Sequence, residues 1–93
     1  MKNSGSKTKL KELQEIIACL RDPLDGCEWD NKQTLETLVP HTIEEAYEVE
    51  DAIIRSDFEE LKNELGDLMY QVVFLSEIAY ERNLFSLNEV IDS

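Results

Sequence analysis

Two long stretches of helical period, 42–55 and 57–82, meet with little more than Ser56 between them. A connection that short makes the two helices antiparallel neighbours, and this hairpin constrains the fold more than any other feature. The spacing predicts the first of them over Thr42 to Arg55, with Thr42 and Glu45 as a capping box. Asp57 and Glu60 supply a second box, and the helix they open should run to about Arg82 with the apolar stripe Leu61, Leu65, Leu68, Val72, Leu75 and Ala79. Gly66 lies inside that helix, where it costs about 1 kcal/mol against alanine. A glycine kept there suggests the close approach of a neighbouring helix or a ligand.

The remainder also reads as helix and loop. Leu10, Leu13, Ile16, Ile17 and Leu20 have helical spacing, and Asp22-Pro23 ends that helix because a residue before proline avoids the α region. DPLDGCEWDNKQ (22–33) is a loop, and a short helical turn over Thr34–Val39 is expected before Pro40. Asn83-Leu84-Phe85 forms a turn, and Ser86 with Glu89 opens a final helix. Nothing alternates with the period of a strand, so the chain is all-α. Residues 1–8 read as a disordered tip and 9–93 as one domain. At 93 residues with 42% hydrophobic content, such a domain buries only about two thirds of its unfolded surface. A partner copy is therefore expected, as a homodimer or homotetramer.

The charge is distributed unusually. Five of the eight residues from Glu44 to Asp51 are carboxylates, although like charges three and four apart weaken a helix by a few tenths of a kcal/mol per pair, about 0.2–0.5. Counted outward from Ser56, Glu48 and Glu64 are equidistant, and so are Glu45 and Asp67. At a rise of ~1.5 Å per residue, these pairs stand ~12 Å and ~16 Å from the turn. Glu45 and Glu48 are ~60° apart on one helix, as are Glu64 and Asp67 on the other. Both pairs border apolar stripes, so two acidic pairs at matched heights can point into one groove. Four carboxylates there repel one another until protons or a cation intervene. The donors are all hard oxygens, which suits Mg²⁺, with Mn²⁺ as a substitute, over zinc or copper. The bland alternative is an acidic, solvated helix face. It accounts for Glu50, and Glu45 has a capping role available.

The net charge of -12, from 21 acidic and 9 basic residues, opposes binding to a nucleic-acid backbone or an anionic membrane. No stretch approaches the ~20 apolar residues of a membrane span, and MKNSGSKTKL has no apolar signal region. Cys19 and Cys27 with one histidine are too few for a usual zinc site. They read as reduced thiols of a cytoplasmic protein.

With these residues in place, the sequence resembles the MazG family of all-α nucleoside triphosphate pyrophosphohydrolases. The resemblance is carried by LRDPLDGCEWDNKQT (20–34), TIEEAYEVEDAI (42–53) and NELGDLMYQVVF (63–74), which match an EExxE…ExxD pattern preceded by a Trp-Asp loop. It implies a helical bundle whose hairpin carries the acidic site and which oligomerisation completes. It implies that an NTP and water give an NMP and pyrophosphate, in the control of nucleotide pools. Glu45, Glu48, Glu64 and Asp67 would hold Mg²⁺, with Glu44, Glu45 and Glu48 forming the catalytic acidic set and Glu44 orienting or deprotonating water. Trp29 would stack on a base and Lys32 would meet a phosphate. For Trp29 an apolar plug between helices is equally open, and Lys32 can equally be a plain surface residue. Arg21 reads as a charge at a helix C-terminus, and His41 as a surface residue.

The sequence departs from the family in two places. Glu28 stands where the loop usually has proline, adding an anion near the phosphate entrance. Many members also continue past the position of Ser93, through a full fourth helix into a basic, histidine-containing segment, and often carry two such domains, so one piece of a longer protein is an open reading of this sequence. That leaves a non-catalytic dimerisation or regulatory module as the alternative function, with an acidic nucleic-acid mimic as a weaker third.

Overall fold

The computed structural model describes residues 8–93, so residues 1–7 of the expected N-terminal tip lie outside it. Five helices follow in order: α1 (Lys9–Leu20), α2 (Glu28–Asn31), α3 (Leu35–Ile54), α4 (Phe58–Glu81) and α5 (Leu87–Asp92). There is no strand among the described residues. α4 is the central element and packs against α1, α3 and α5. None of the helices is long and apolar enough to cross a membrane.

Side-chain caps fix where most helices begin. Thr8 accepts a hydrogen bond from the Lys11 N–H at 3.0 Å, and Asp57 accepts one from Glu60 N–H at 3.0 Å. Ser86 and Glu89 make both halves of the expected capping box. The box expected at Thr42 and Glu45 does not exist, because α3 starts earlier. Thr34 and Thr37 cap each other there, and the helix runs on through Pro40 as one piece. Proline removes the bond that its missing N–H would have made to the Glu36 carbonyl, and its ring crowds that carbonyl. Both residues are exposed, so water can satisfy that carbonyl. Thr42 is then an interior residue whose hydroxyl lies 3.1 Å from the Leu38 carbonyl and 3.1 Å from the Gln71 side-chain oxygen.

The turn between α3 and α4 is as tight as the sequence implies. Ser56 adopts a left-handed φ of 56°. Its N–H reaches the Ile53 carbonyl, and the Asp57 N–H reaches the Ala52 carbonyl, each at 3.0 Å. These bonds close the end of α3 and turn the chain back on itself. Asn83, with φ 60°, ends α4 in the same way.

The core consists of Ile17, Leu38, Val73, Phe74, Ile78 and Leu87, with Leu10, Leu13, Leu35, Tyr70 and Leu75 against it. The buried face of α4 therefore differs from the stripe read in the sequence: Leu65 and Val72 are partly exposed, while Val73, Phe74 and Ile78 are buried. Residues 70–79 carry apolar groups almost all round the helix, so periodicity alone does not choose a face. Gly66 also differs from expectation. A Cβ added there would meet nothing within 4 Å, so nothing among the described residues approaches it closely.

A candidate metal centre across the helix hairpin

Antiparallel packing of α3 on α4 brings Glu45, Glu64 and Asp67 together. Each offers a carboxylate oxygen, and these oxygens all lie within 4.8 Å of one another. Glu45 and Glu64 are half-buried and Asp67 is exposed. The Oε2 atom of Glu45 is buried and has no hydrogen-bond partner. A buried acceptor left without a donor is costly, and the cations of the hairpin do not relieve it. Arg55 pairs with Asp51 and Asp57, and Lys62 pairs with Glu59.

The electrostatics record the crowding. Glu64 is raised above the ordinary glutamate value, chiefly through its contact with the Glu45 carboxyl; burial and the charges of Glu45 and Glu48 add to this, against a lowering contact with Glu60. Glu60 is raised in turn, chiefly by its contact with Glu64. Glu60 is a member of the acidic cluster that the sequence reading used only as a cap. Its signal was its place one turn before Glu64 on the same helix.

Glu48 lies outside the converging trio. It is exposed and lines an open groove with Val39, Pro40, Ile43, Glu44 and Tyr47, although its charge still acts on Glu64. Glu44 is likewise exposed on that groove. The three converging carboxylates fit a hard divalent cation: the donors are oxygens, one is buried and unpartnered, and Glu64 is held above its ordinary value by its acidic neighbours.

Trp29 sits beside this region and does not plug the helices. It is 53% exposed, and its ring meets the His41 ring edge-on, with centroids 5.9 Å apart and planes at 78°. His41 is thus Trp29's partner, one turn before Glu45 on α3, about 6 Å along the axis. Lys32 pairs with Glu28 at 3.1 Å, with both side chains largely exposed. The Glu28 carboxylate is therefore partly balanced by the residue that caps the end of its helix. Gly26 lets the loop fold tightly, since a Cβ there would collide with the Leu20 and Asp22 carbonyl oxygens. Cys19 and Cys27 are free thiols.

Arg21 was the least legible of these residues. It is not merely a charge near the end of α1. It is the C-cap residue, and its guanidinium bonds the Asp30 and Gln33 carbonyls and both carboxylate oxygens of Glu81.

Comparison with known proteins gives a consistent family. Residues 33–93 match the model of the MazG nucleotide pyrophosphohydrolase domain. A nucleoside triphosphate pyrophosphohydrolase of Escherichia coli is 49% identical over 82 residues, covering 88% of this chain and 31% of that protein. The nucleoside triphosphate pyrophosphohydrolase/pyrophosphatase MazG of Thermotoga maritima is 47% identical over 91 residues, covering 98% of this chain and 34% of its own length. A Mycobacterium tuberculosis protein named nucleoside triphosphate pyrophosphohydrolase is 36% identical over 85 residues, covering 89% of this chain and 26% of that protein. The chain spans about a third or less of the length of these curated relatives.

Proposed function

This chain belongs to the MazG nucleotide pyrophosphohydrolase domain family, and from that membership we propose that it hydrolyses nucleoside triphosphates to monophosphate and pyrophosphate with a divalent metal. The observation that carries the proposal is the buried, unpartnered Glu45 Oε2 in a group of three carboxylates whose oxygens lie within 4.8 Å of one another. Glu45, Glu64 and Asp67 are the primary ligands. Glu48 is the fourth, reached by rotation of its exposed side chain from the groove. Mg²⁺ is the preferred ion and Mn²⁺ its substitute, given an all-oxygen donor set.

When bound, the ion offsets the acids' mutual repulsion, binds the triphosphate and polarises the phosphorus under attack. The chain's own residues do the rest. Glu44, exposed on the groove beside Glu48, orients the attacking water and takes its proton. The open part of Trp29 stacks on the base, and Lys32 turns from Glu28 toward a phosphate. A cytoplasmic setting follows from the substrate.

The assembly is a homodimer, or a homotetramer built from it. α3 exposes Ile43 and Tyr47, and α4 exposes Leu65 and Met69, each about half exposed or more. Large apolar side chains repeated along two helices mark an interaction surface.

The test is pyrophosphate release from a panel of NTPs and dNTPs with Mg²⁺, using Glu64→Gln as control. Metal-dependent release of pyrophosphate and NMP, lost in the variant, supports the proposal. A product mixture of NDP and phosphate, or full turnover by the variant, overturns it.

A further inference from the structure

Arg21 makes contacts out of proportion to its place at the end of a surface helix. Its side chain is only 10% exposed. One terminal nitrogen donates at 2.7 Å to the Asp30 carbonyl and at 2.7 Å to the Gln33 carbonyl. Nε donates to one Glu81 carboxylate oxygen at 3.0 Å, and the other terminal nitrogen donates to the second. The guanidinium carbon lies 5.8 Å from the centroid of the core residue Phe74, close enough for a cation–π contact. One planar group therefore joins the end of α1, the exit from α2 and the last turn of α4. An ammonium has no comparable fork: lysine donates from a single point and cannot bridge two carbonyls while gripping both oxygens of a carboxylate.

The segment held this way carries both residues of the Trp-Asp loop that were assigned to the nucleotide. Trp29 and Lys32 lie on or next to α2, and Asp30 and Gln33 are their immediate neighbours. At its far side the loop is tied by the Asn31 side-chain amide, which donates to the Asp22 carbonyl at 2.8 Å. Trp29 in turn meets His41, one turn before the metal ligand Glu45. Arg21 and Glu81 themselves belong neither to the acidic trio nor to the groove beside it.

We propose that Arg21, braced by Glu81, is a positioning residue that fixes the α2 segment carrying Trp29 and Lys32 and so sets nucleotide affinity without touching the nucleotide. The inference rests on the pyrophosphohydrolase reading for its effect on substrate, but its structural half can be tested independently. Trp29 is the single tryptophan in the sequence, so its fluorescence reports on the loop alone.

The experiment compares wild type with Arg21→Lys and Glu81→Gln by acrylamide quenching of Trp29, Mn²⁺ affinity, helical content, and separate kcat and KM values. For Arg21→Lys the expected result is stronger quenching and a KM raised roughly tenfold. Its Mn²⁺ affinity, helicity and kcat should stay within about threefold of wild type, because uniform binding is lost and the metal site is not. Glu81→Gln keeps both carbonyl bonds and should raise KM by only about two- to threefold. Unchanged quenching in Arg21→Lys overturns the proposal, as does an unchanged KM. A parallel loss of helicity, Mn²⁺ affinity and kcat also overturns it, since Arg21 would then only hold the fold. If wild type releases no pyrophosphate, the functional reading fails, while the quenching comparison still decides whether Arg21 holds the loop.

Discussion

Glu45 and Asp67 lie eleven residues on either side of Ser56, on opposite helices, and present carboxylate oxygens within 4.8 Å of each other. Equal distance from the turn gives equal height in an antiparallel pair. The tight left-handed cap at Ser56 keeps the two counts in register. A one-residue insertion in that turn would rotate or lift one acid away from the other, so the site depends on the hairpin turn as much as on the acids.

The clustered acids make metal-free stability depend on pH in a stated direction. Glu60 and Glu64 are both held above the ordinary value of 4.5. A folded-state value above the unfolded one means that the folded chain binds the proton more readily. The resulting stability is complete below about 4.5 and is lost as pH rises through the folded values. Asp22, held low by the N–H groups of Asp25 and Leu24, acts in the opposite sense, only as pH falls below its usual 3.8. With EDTA present, the melting temperature should therefore fall as pH rises above 4.5. Mg²⁺ should flatten the fall near neutrality by replacing the protons, and Glu64→Gln should reduce the slope without metal. Thermal melts by circular dichroism at each pH measure all three.

Two backbone positions have room for improvement. Ser56 holds a left-handed φ that glycine adopts without steric cost. Gly66 sits in a helix with open space where a Cβ would go. Ser56→Gly and Gly66→Ala should each add about 0.5–1 kcal/mol of stability. Urea melts of the metal-free chain measure the gain. A loss with Gly66→Ala would mean that a second chain approaches that glycine.

The exposed stripes on α3 and α4 should be covered by a second copy. Wild type should sediment as a dimer or larger, and the double variant Ile43→Glu with Met69→Glu should sediment as a monomer with retained helicity. A monomeric wild type at micromolar concentration would remove this part of the account.

The hairpin was legible because its evidence is local: helical period, Ser56 between two long helices, and acids at matched counts. The helix that runs through Pro40 was not. Proline signals a boundary in sequence, and only the early cap at Thr34 shows that the helix is already under way. The core face of α4 was ambiguous for a related reason, because residues 70–79 are apolar on most sides and the packing of Ile17, Leu38 and Leu87 selects the buried one. Pairwise counting matched Glu48 with Glu64, yet side-chain direction leaves Glu48 on the open groove and brings Glu60 beside Glu64 instead. Arg21 was out of reach altogether, since its partners lie up to sixty residues away in Glu81. The family resemblance drawn from the Trp-Asp loop and the acidic motifs was correct.

Whether Glu45, Glu64 and Asp67 form a divalent-cation centre is decided by Mn²⁺ binding followed by electron paramagnetic resonance. Wild type is compared with Glu45→Gln and with Glu50→Gln, which makes the same charge change at an exposed residue of α3 outside the trio. Saturable binding that Mg²⁺ competes away is expected, weakened by roughly 10- to 100-fold in Glu45→Gln and little changed in Glu50→Gln. Equal weakening by both variants would reduce the site to general acidity and contradict the assignment.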